Sequence, residues 1–333
     1  MEIKIGRLPK GLRNAITDVP GVRVGHCTVD NERHKTGVTV VMPCADDIFQ
    51  NKMVAACHVL NGFGKTTGLV QIEELGTLET PIALTNTLNV GLVHDAMVEY
   101  MCQKAEENGY AIRSVNPVIC ECNDASLNDI RHRAVTQKEV FSAIESAAED
   151  FALGDVGAGK GMTCHDLKGG IGSASRIVEI GGEKFTVGVL VQTNHGSLRD
   201  LQIGGQNVGE EINRRISEDT PDQGSCIMIV ATDLPVTDRQ LKRIIKRCSV
   251  GLARLGSYIG HGSGEIMVGF TTANRIPAEG EMLQLRCIHE SQINAAFRAV
   301  AEATEEAVLR SMLEADAVVG YSGKVRRSLK EYI

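Results

Sequence analysis

At residue 225 the chain passes without transition from polar to apolar. The run is Gln223-Gly224-Ser225-Cys226-Ile227-Met228-Ile229-Val230-Ala231-Thr232-Asp233. A stretch of branched and sulfur-bearing residues such as 226–231 reads as a strand, and with no polar alternate position it must be buried. Similar short runs occur at Thr36–Met42, Met53–Leu60, Pro81–Leu84, Pro117–Cys120, Ala174–Ile180, Lys184–Val191 and Ile266–Thr271. Between them lie amphipathic stretches. Val90–Asn108 ends at Gly109, a C-cap residue, and Asp238–Leu255 carries Leu241, Ile244, Ile245, Cys248 and Leu252 at helical spacing. Gln137–Leu153 opens with Thr136 and Glu139 in capping-box spacing, and Glu290–Ala315 is long and Ala-rich. Buried strands and one-faced helices in this number predict helix layers packed on sheets. The polar segment Ser197–Gln223 is expected to be a long exposed connection leading into the strand.

Several function classes are disfavoured at once. A net charge of −7 argues against a nucleic-acid partner, and aromatic residues at 4%, with no Trp, leave little for base stacking. No apolar run approaches the roughly 20 residues of a membrane span. The ten cysteines are scattered without a C-x-x-C pair and no export signal precedes them, so the expectation is reduced thiols in the cytoplasm and no bound metal. Gly154-Asp155-Val156-Gly157-Ala158-Gly159-Lys160 has P-loop spacing, but Gly161 stands where the magnesium-binding hydroxyl belongs. Gly62-Phe63-Gly64-Lys65-Thr66 has the hydroxyl but Val59 in place of the first glycine. Both are read as turns that let backbones approach closely. G-x-S-x-G does not occur, and His26, His195 and His261 are the histidines whose surroundings suit a base.

The Gly224-Ser225 junction has what an N-terminal nucleophile needs. Ser225 Oγ would attack the Gly224 carbonyl, move the acyl group from nitrogen to oxygen, and let water split the ester. Glycine at 224 lets the peptide twist and leaves its carbonyl open. The new α-amine, with an unperturbed pKa near ~8, can take the hydroxyl proton itself. Taken by itself, the junction also fits an ordinary loop-to-strand boundary.

The surrounding blocks decide between the two. Asn14-Ala15-Ile16-Thr17-Asp18-Val19-Pro20-Gly21-Val22-Arg23-Val24-Gly25-His26 resembles the opening motif of the L-aminopeptidase/D-esterase family, which includes the β-peptidyl aminopeptidases. Further blocks follow in the family's order: Leu84-Thr85-Asn86-Thr87, Leu127-Asn128-Asp129-Ile130, Lys168-Gly169-Gly170-Ile171-Gly172-Ser173, Val191-Gln192-Thr193-Asn194 and Gly262-Ser263-Gly264-Glu265-Ile266. The resemblance covers nearly the whole chain. It implies an α+β fold, a four-layer αββα sandwich of N-terminal-nucleophile type, as one domain over residues 1–333. It also implies self-cleavage between Gly224 and Ser225 into chains of 224 and 109 residues (333 − 224).

The implied activity is a serine aminopeptidase or amidase that removes N-terminal residues from small peptides, amides or esters without a cofactor. Ser225 is the implied nucleophile, Ser263 and Glu265 its supporting pair, and Asn194 the oxyanion donor. The αβ units are expected to form homo-oligomers. One departure concerns substrate binding: Ser126 stands where the family usually carries an aromatic residue. Two alternatives stay open, an acyltransferase or oligo-amide hydrolase of the same architecture and an unprocessed scaffold of the same fold.

Overall fold

A computed structural model describes residues 4–216 and 224–333. Four strands form one sheet in the order β1 (Arg23–Asp30), β2 (Lys35–Met42), β5 (Ile82–Asn86) and β6 (Val118–Cys122). Six form a second, in the order β4 (Thr77–Leu78), β3 (Asn51–Gly62), β10 (Ser263–Pro277), β9 (Gly224–Thr232), β8 (Glu183–Asn194) and β7 (Ile171–Ile180). Pairing is antiparallel except between β5 and β6 and between β9 and β10.

Alternation along β9 shows how the layers stack. Cys226, Met228 and Val230 enter a core shared with three helices, α5 (Asp238–Ile245), α6 (Cys248–Arg254) and α7 (Asn294–Leu313). Ile227, Ile229 and Ala231 enter a second core with Leu84, Val118 and Cys120 of the facing sheet. The far side of the four-stranded sheet packs Val38, Val40 and Ile119 against α2 (Val90–Glu107) and α3 (Gln137–Glu145). The layers are therefore helix, sheet, sheet, helix, which is why β9 can be apolar at every position from 226 to 231. Phe270, wholly buried between the sheets, illustrates the energy at stake: truncating such a ring to Ala costs about 3–5 kcal/mol.

The expected strands all form, some longer than their apolar runs. The helices differ in instructive ways. Thr136 and Glu139 form their capping box, but α3 stops at Glu145 because Ala148 exchanges two backbone hydrogen bonds with Val24. That exchange on the sheet edge replaces further helix. The expected helix over 238–255 is two, because Arg247 N–H bonds the Ile244 carbonyl three residues back and the tightened turn redirects the axis. The stretch 197–216 is not an exposed connection: Leu198, Leu201 and Ile203 are buried, and α4 (Val208–Ile216) turns Ile212 inward. The remainder of that expectation, residues 217–223, lies outside the described residues. A strand (β1) and a helix, α1 (Leu69–Leu75), form where the sequence carried no clear run. No helix among the described residues is long and apolar enough to cross a membrane.

Much of the N-terminal motif serves packing. Asn14 Oδ1 accepts the Ser175 N–H, Asp18 accepts the Ser175 hydroxyl, and Asn14 Nδ2 donates to Glu306 on α7. Behind them Arg176, fully buried, is neutralised by Glu302 and Glu306. Stripping one partner from such a pair leaves a buried charge, a loss of about 3–5 kcal/mol.

Candidate active site

Three neighbouring strands bring the site together at one end of the six-stranded sheet. Ser225 pairs with Asn194 on β8 on one side and with Gly264 on β10 on the other. Cross-strand partners share a face, so Ser225 and Asn194 both turn toward the facing sheet, the side of Ile227 and Leu190. At this end the two sheets separate into a cleft of about 270 Å³. Gly224, Ser225, Asn194, Glu121, Ser126 and Lys65 are among its lining residues.

Gly224 has φ +134°, a conformation reserved for glycine. A Cβ there would lie 1.8 Å from the Asn194 carbonyl oxygen. The twisted peptide presents its carbonyl to the next side chain: Ser225 Oγ donates to the Gly224 oxygen at 2.7 Å. Gly264 provides the space on the other side, since a Cβ at 264 would lie 3.2 Å from that Oγ.

Asn194 is locked by its neighbours. Its Oδ1 accepts the Thr163 N–H at 3.0 Å and the Thr163 hydroxyl at 3.3 Å. These bonds fix which end of the amide is nitrogen, and Nδ2 points to the cleft side, donating to the Asn123 carbonyl at 3.0 Å. The Nδ2 atom is 3.4 Å from where a Gly224 Cβ would be, so the amide lies beside Gly224.

Ser263 and Glu265 are fully buried, and the Ser263 hydroxyl donates to Glu265 Oε1. They pair in register with Gly224 and Cys226, one on each side of the Ser225 level. Alternation places them on the opposite face from the Ser225 side chain, so the part of Ser225 they flank is its backbone, where the α-amine would arise. Asn61 braces their loop, with Nδ2 donating to the carbonyls of Gly260 at 2.9 Å and Ser263 at 2.6 Å.

One residue of this site was not singled out from the sequence. Glu121, at the end of β6, is only 3% exposed yet lines the cleft. Lys65 N–H donates to its Oε1 at 3.0 Å, and the Thr87 hydroxyl donates to its Oε2. It is the only carboxylate among the cleft-lining residues described. Its sequence signal was weak: a single acid between Cys120 and Cys122 in a strand whose neighbours are all buried. Ser126 does line the cleft, and its Oγ is buried without a partner among the described residues.

The histidines considered as bases lie elsewhere. Burial holds His26 down at about 4, with its ring bonded to Thr39 and the Ala152 carbonyl. His195 packs edge-on to His165 in the interior. His261 is exposed and does not line the cleft. The P-loop-like turn is likewise structural: Lys160 is paired with Asp30 and Asp155, and a Cβ at Gly157 would strike Thr39. The consecutive residues Cys164 and His165 come together with the distant His195, with candidate ligand atoms within 4.8 Å of one another.

Comparison with known proteins finds relatives along nearly the whole chain. Residues 14–326 match the family described as Peptidase family S58. Beta-peptidyl aminopeptidase BapA of Sphingosinicella xenopeptidilytica is 38% identical, the match covering 93% of this chain and 83% of that protein. Among solved structures, the PH0078 protein from Pyrococcus horikoshii is 48% identical with a TM-score of 0.93, covering 98% of this chain and 94% of that one. The L-aminopeptidase D-Ala-esterase/amidase of Ochrobactrum anthropi is 33% identical with a TM-score of 0.90, covering 97% and 93%. That structure is described as a prototype for the serine aminopeptidases and a variant of the Ntn hydrolase fold.

Proposed function

The chain belongs to peptidase family S58 and is a serine aminopeptidase of the N-terminal-nucleophile fold; from that premise we propose that it matures by cutting itself between Gly224 and Ser225 and then uses Ser225 to remove N-terminal residues from short peptides, amides or esters. The observation that carries this reading is the 2.7 Å approach of Ser225 Oγ to the carbonyl of a glycine at φ +134°. In the first step Oγ adds to the Gly224 carbonyl carbon through a five-membered ring. The C–N bond then breaks, the Ser225 nitrogen takes the hydroxyl proton, and the acyl group is left on oxygen. Water cleaves that ester, leaving a carboxylate on Gly224 and a free amine on Ser225. The products are the 1–224 and 225–333 chains.

In turnover the Ser225 amine accepts the Oγ proton as Oγ attacks the substrate acyl carbon. Asn194 Nδ2, released from Asn123, donates to the oxyanion. The leaving amine takes a proton, and water hydrolyses the acyl-enzyme. The buried Ser263–Glu265 pair holds the Ser225 amine in orientation. Glu121 supplies what an aminopeptidase needs beyond a nucleophile, a fixed negative charge for the substrate ammonium. Ser126 offers a small polar contact where a larger side chain would narrow the cleft. The relatives' name extends the reading to N-terminal β-amino acids. Assembly into homo-oligomers of αβ units in the cytoplasm completes the proposal.

The test compares alanyl p-nitroanilide with its N-acetyl derivative and with the Glu121→Gln enzyme. A lost charge-assisted contact is worth about 1.5–3 kcal/mol, so Glu121→Gln should lower kcat/KM on the free amine substrate by ~10–150-fold, with self-cleavage intact. Equal rates on free and acetylated substrate contradict an aminopeptidase.

A further inference from the structure

Among its described lining residues the cleft carries one anion and one cation, and the reading above uses only the anion. The cation is Lys65, in the Gly62-Phe63-Gly64-Lys65 turn. This turn is held on both sides of the cleft. The Lys65 N–H is bonded to Glu121, and the Phe63 carbonyl lies so close to Gly264 that a Cβ there would come within 2.6 Å. The turn therefore runs from the carboxylate to the strand beside Ser225. The Lys65 side chain is exposed at the mouth, with Nζ 5.1 Å from the centre of the Phe63 ring. No carboxylate among the described residues pairs with it, whereas the other P-loop-like lysine, Lys160, is matched by two. A face-on aromatic contact of this kind is worth about 0.5–1 kcal/mol at an exposed site, enough to bias the ammonium without neutralising it.

We propose that Lys65 binds a carboxylate of the substrate, so that the cleft selects short zwitterions whose ammonium faces Glu121 and whose carboxylate faces Lys65. The inference rests on the aminopeptidase reading and adds a substrate class to it. A volume of about 270 Å³ falls below the ~300–1,000 Å³ typical of pockets for larger ligands, so both charged ends of a short substrate stay within reach of one site. The carboxylate can come from the C-terminus of a dipeptide or from an acidic side chain. Either would meet the same ammonium.

The experiment measures kcat/KM for the wild-type enzyme, Lys65→Met and Lys65→Arg on four substrates: alanyl-alanine, alanyl-alanine amide, glutamyl p-nitroanilide and alanyl p-nitroanilide. Lys65→Met is expected to lower kcat/KM by roughly 10-fold or more on a carboxylate-bearing substrate, chiefly through KM. It should leave alanyl p-nitroanilide within about twofold, and Lys65→Arg should restore most of the loss. Because the ammonium is exposed, the discrimination should shrink at high ionic strength. A loss confined to alanyl-alanine identifies the C-terminal carboxylate, and a loss confined to glutamyl p-nitroanilide identifies the side chain. Equal effects on all four substrates, or none, overturn the role of Lys65 and leave the aminopeptidase reading standing. A wild-type enzyme inactive on every free-amine substrate overturns both.

Discussion

Gly224→Ala adds one methyl group where the fold leaves almost no space. The new Cβ would lie 1.8 Å from the Asn194 carbonyl oxygen and 2.9 Å from its carbon. Both are backbone atoms of the strand paired with Ser225, so they cannot swing aside as a side chain would. Residue 224 has to move instead, by more than about 1 Å to reach ordinary contact near ~3.5 Å. The φ of +134° must relax as well. Strain and overpacking together cost roughly 2–6 kcal/mol. The kinetic effect is the more telling one. Any such shift carries the Gly224 carbonyl away from Ser225 Oγ, and a 1 Å misplacement of reacting groups costs ~10² in rate. Self-cleavage of the variant should therefore be about 100-fold slower. It is followed as loss of the full-length band on denaturing gels, using the folded fraction from size exclusion, with circular dichroism confirming the fold. A folded Gly224→Ala protein that splits at the wild-type rate would refute the argument that this glycine's geometry prepares the reaction.

Other consequences follow from the same residues. Asn194→Ala removes the amide that Thr163 holds in place and should slow both maturation and turnover by ~10²–10³, measured by gel and by p-nitroanilide release. Asp124, fully buried beside the cleft residue Asn123, has its carboxyl pushed up to about 7 by burial. Its usual value lies near ~3.9. Between those values the folded chain keeps a proton that the unfolded chain has lost. Stability is therefore whole at acid pH and declines as pH rises toward 7, by an amount on the order of 4 kcal/mol when complete. Asp124→Asn keeps an acceptor for Asn128 Nδ2 and lacks that slope, so its Tm advantage over wild type should grow from pH 5 to pH 8. An equal difference at both values contradicts the assignment.

How much of this was legible in the sequence depended on the kind of signal. The β9 run was plain, because burial on both faces removes polar alternation, and its neighbours could be read in the same way. Helix layers packed on sheets follow once two buried faces per strand are granted; the four-layer αββα order came from the family resemblance. Helix ends were less legible: nothing local in 146–153 announces that Ala148 will pair with Val24, and the break at Lys246-Arg247 depends on where α7 and the sheet lie. The stretch 197–216 looked exposed because its apolar residues are sparse, yet Leu198, Leu201, Ile203 and Ile212 are buried and Val208 and Ile216 half-buried against the core. At the site, the family blocks pointed to Ser225, Asn194, Ser263 and Glu265. Glu121 was missed because a lone acid in a strand has no pattern until the fold opens a cleft beside it. The same holds for the pairing of Lys65 with that cleft. The split of Ser225 and Ser263–Glu265 onto opposite faces of one sheet is a consequence of register, which sequence alone does not supply.

The most direct test of the account is the intact mass of freshly purified protein under denaturing conditions, taken for wild type and Ser225→Ala. Wild type should give two masses, about two-thirds and one-third of the 35.8 kDa chain. They should sum to the intact mass plus one water, with Ser225 at the start of the smaller. Ser225→Ala should give one full-length mass and no aminopeptidase activity. A fully active wild-type enzyme that keeps its single full-length mass, or a Ser225→Ala chain that still splits at this bond, would contradict the claim that Ser225 cuts its own chain and then serves as the nucleophile.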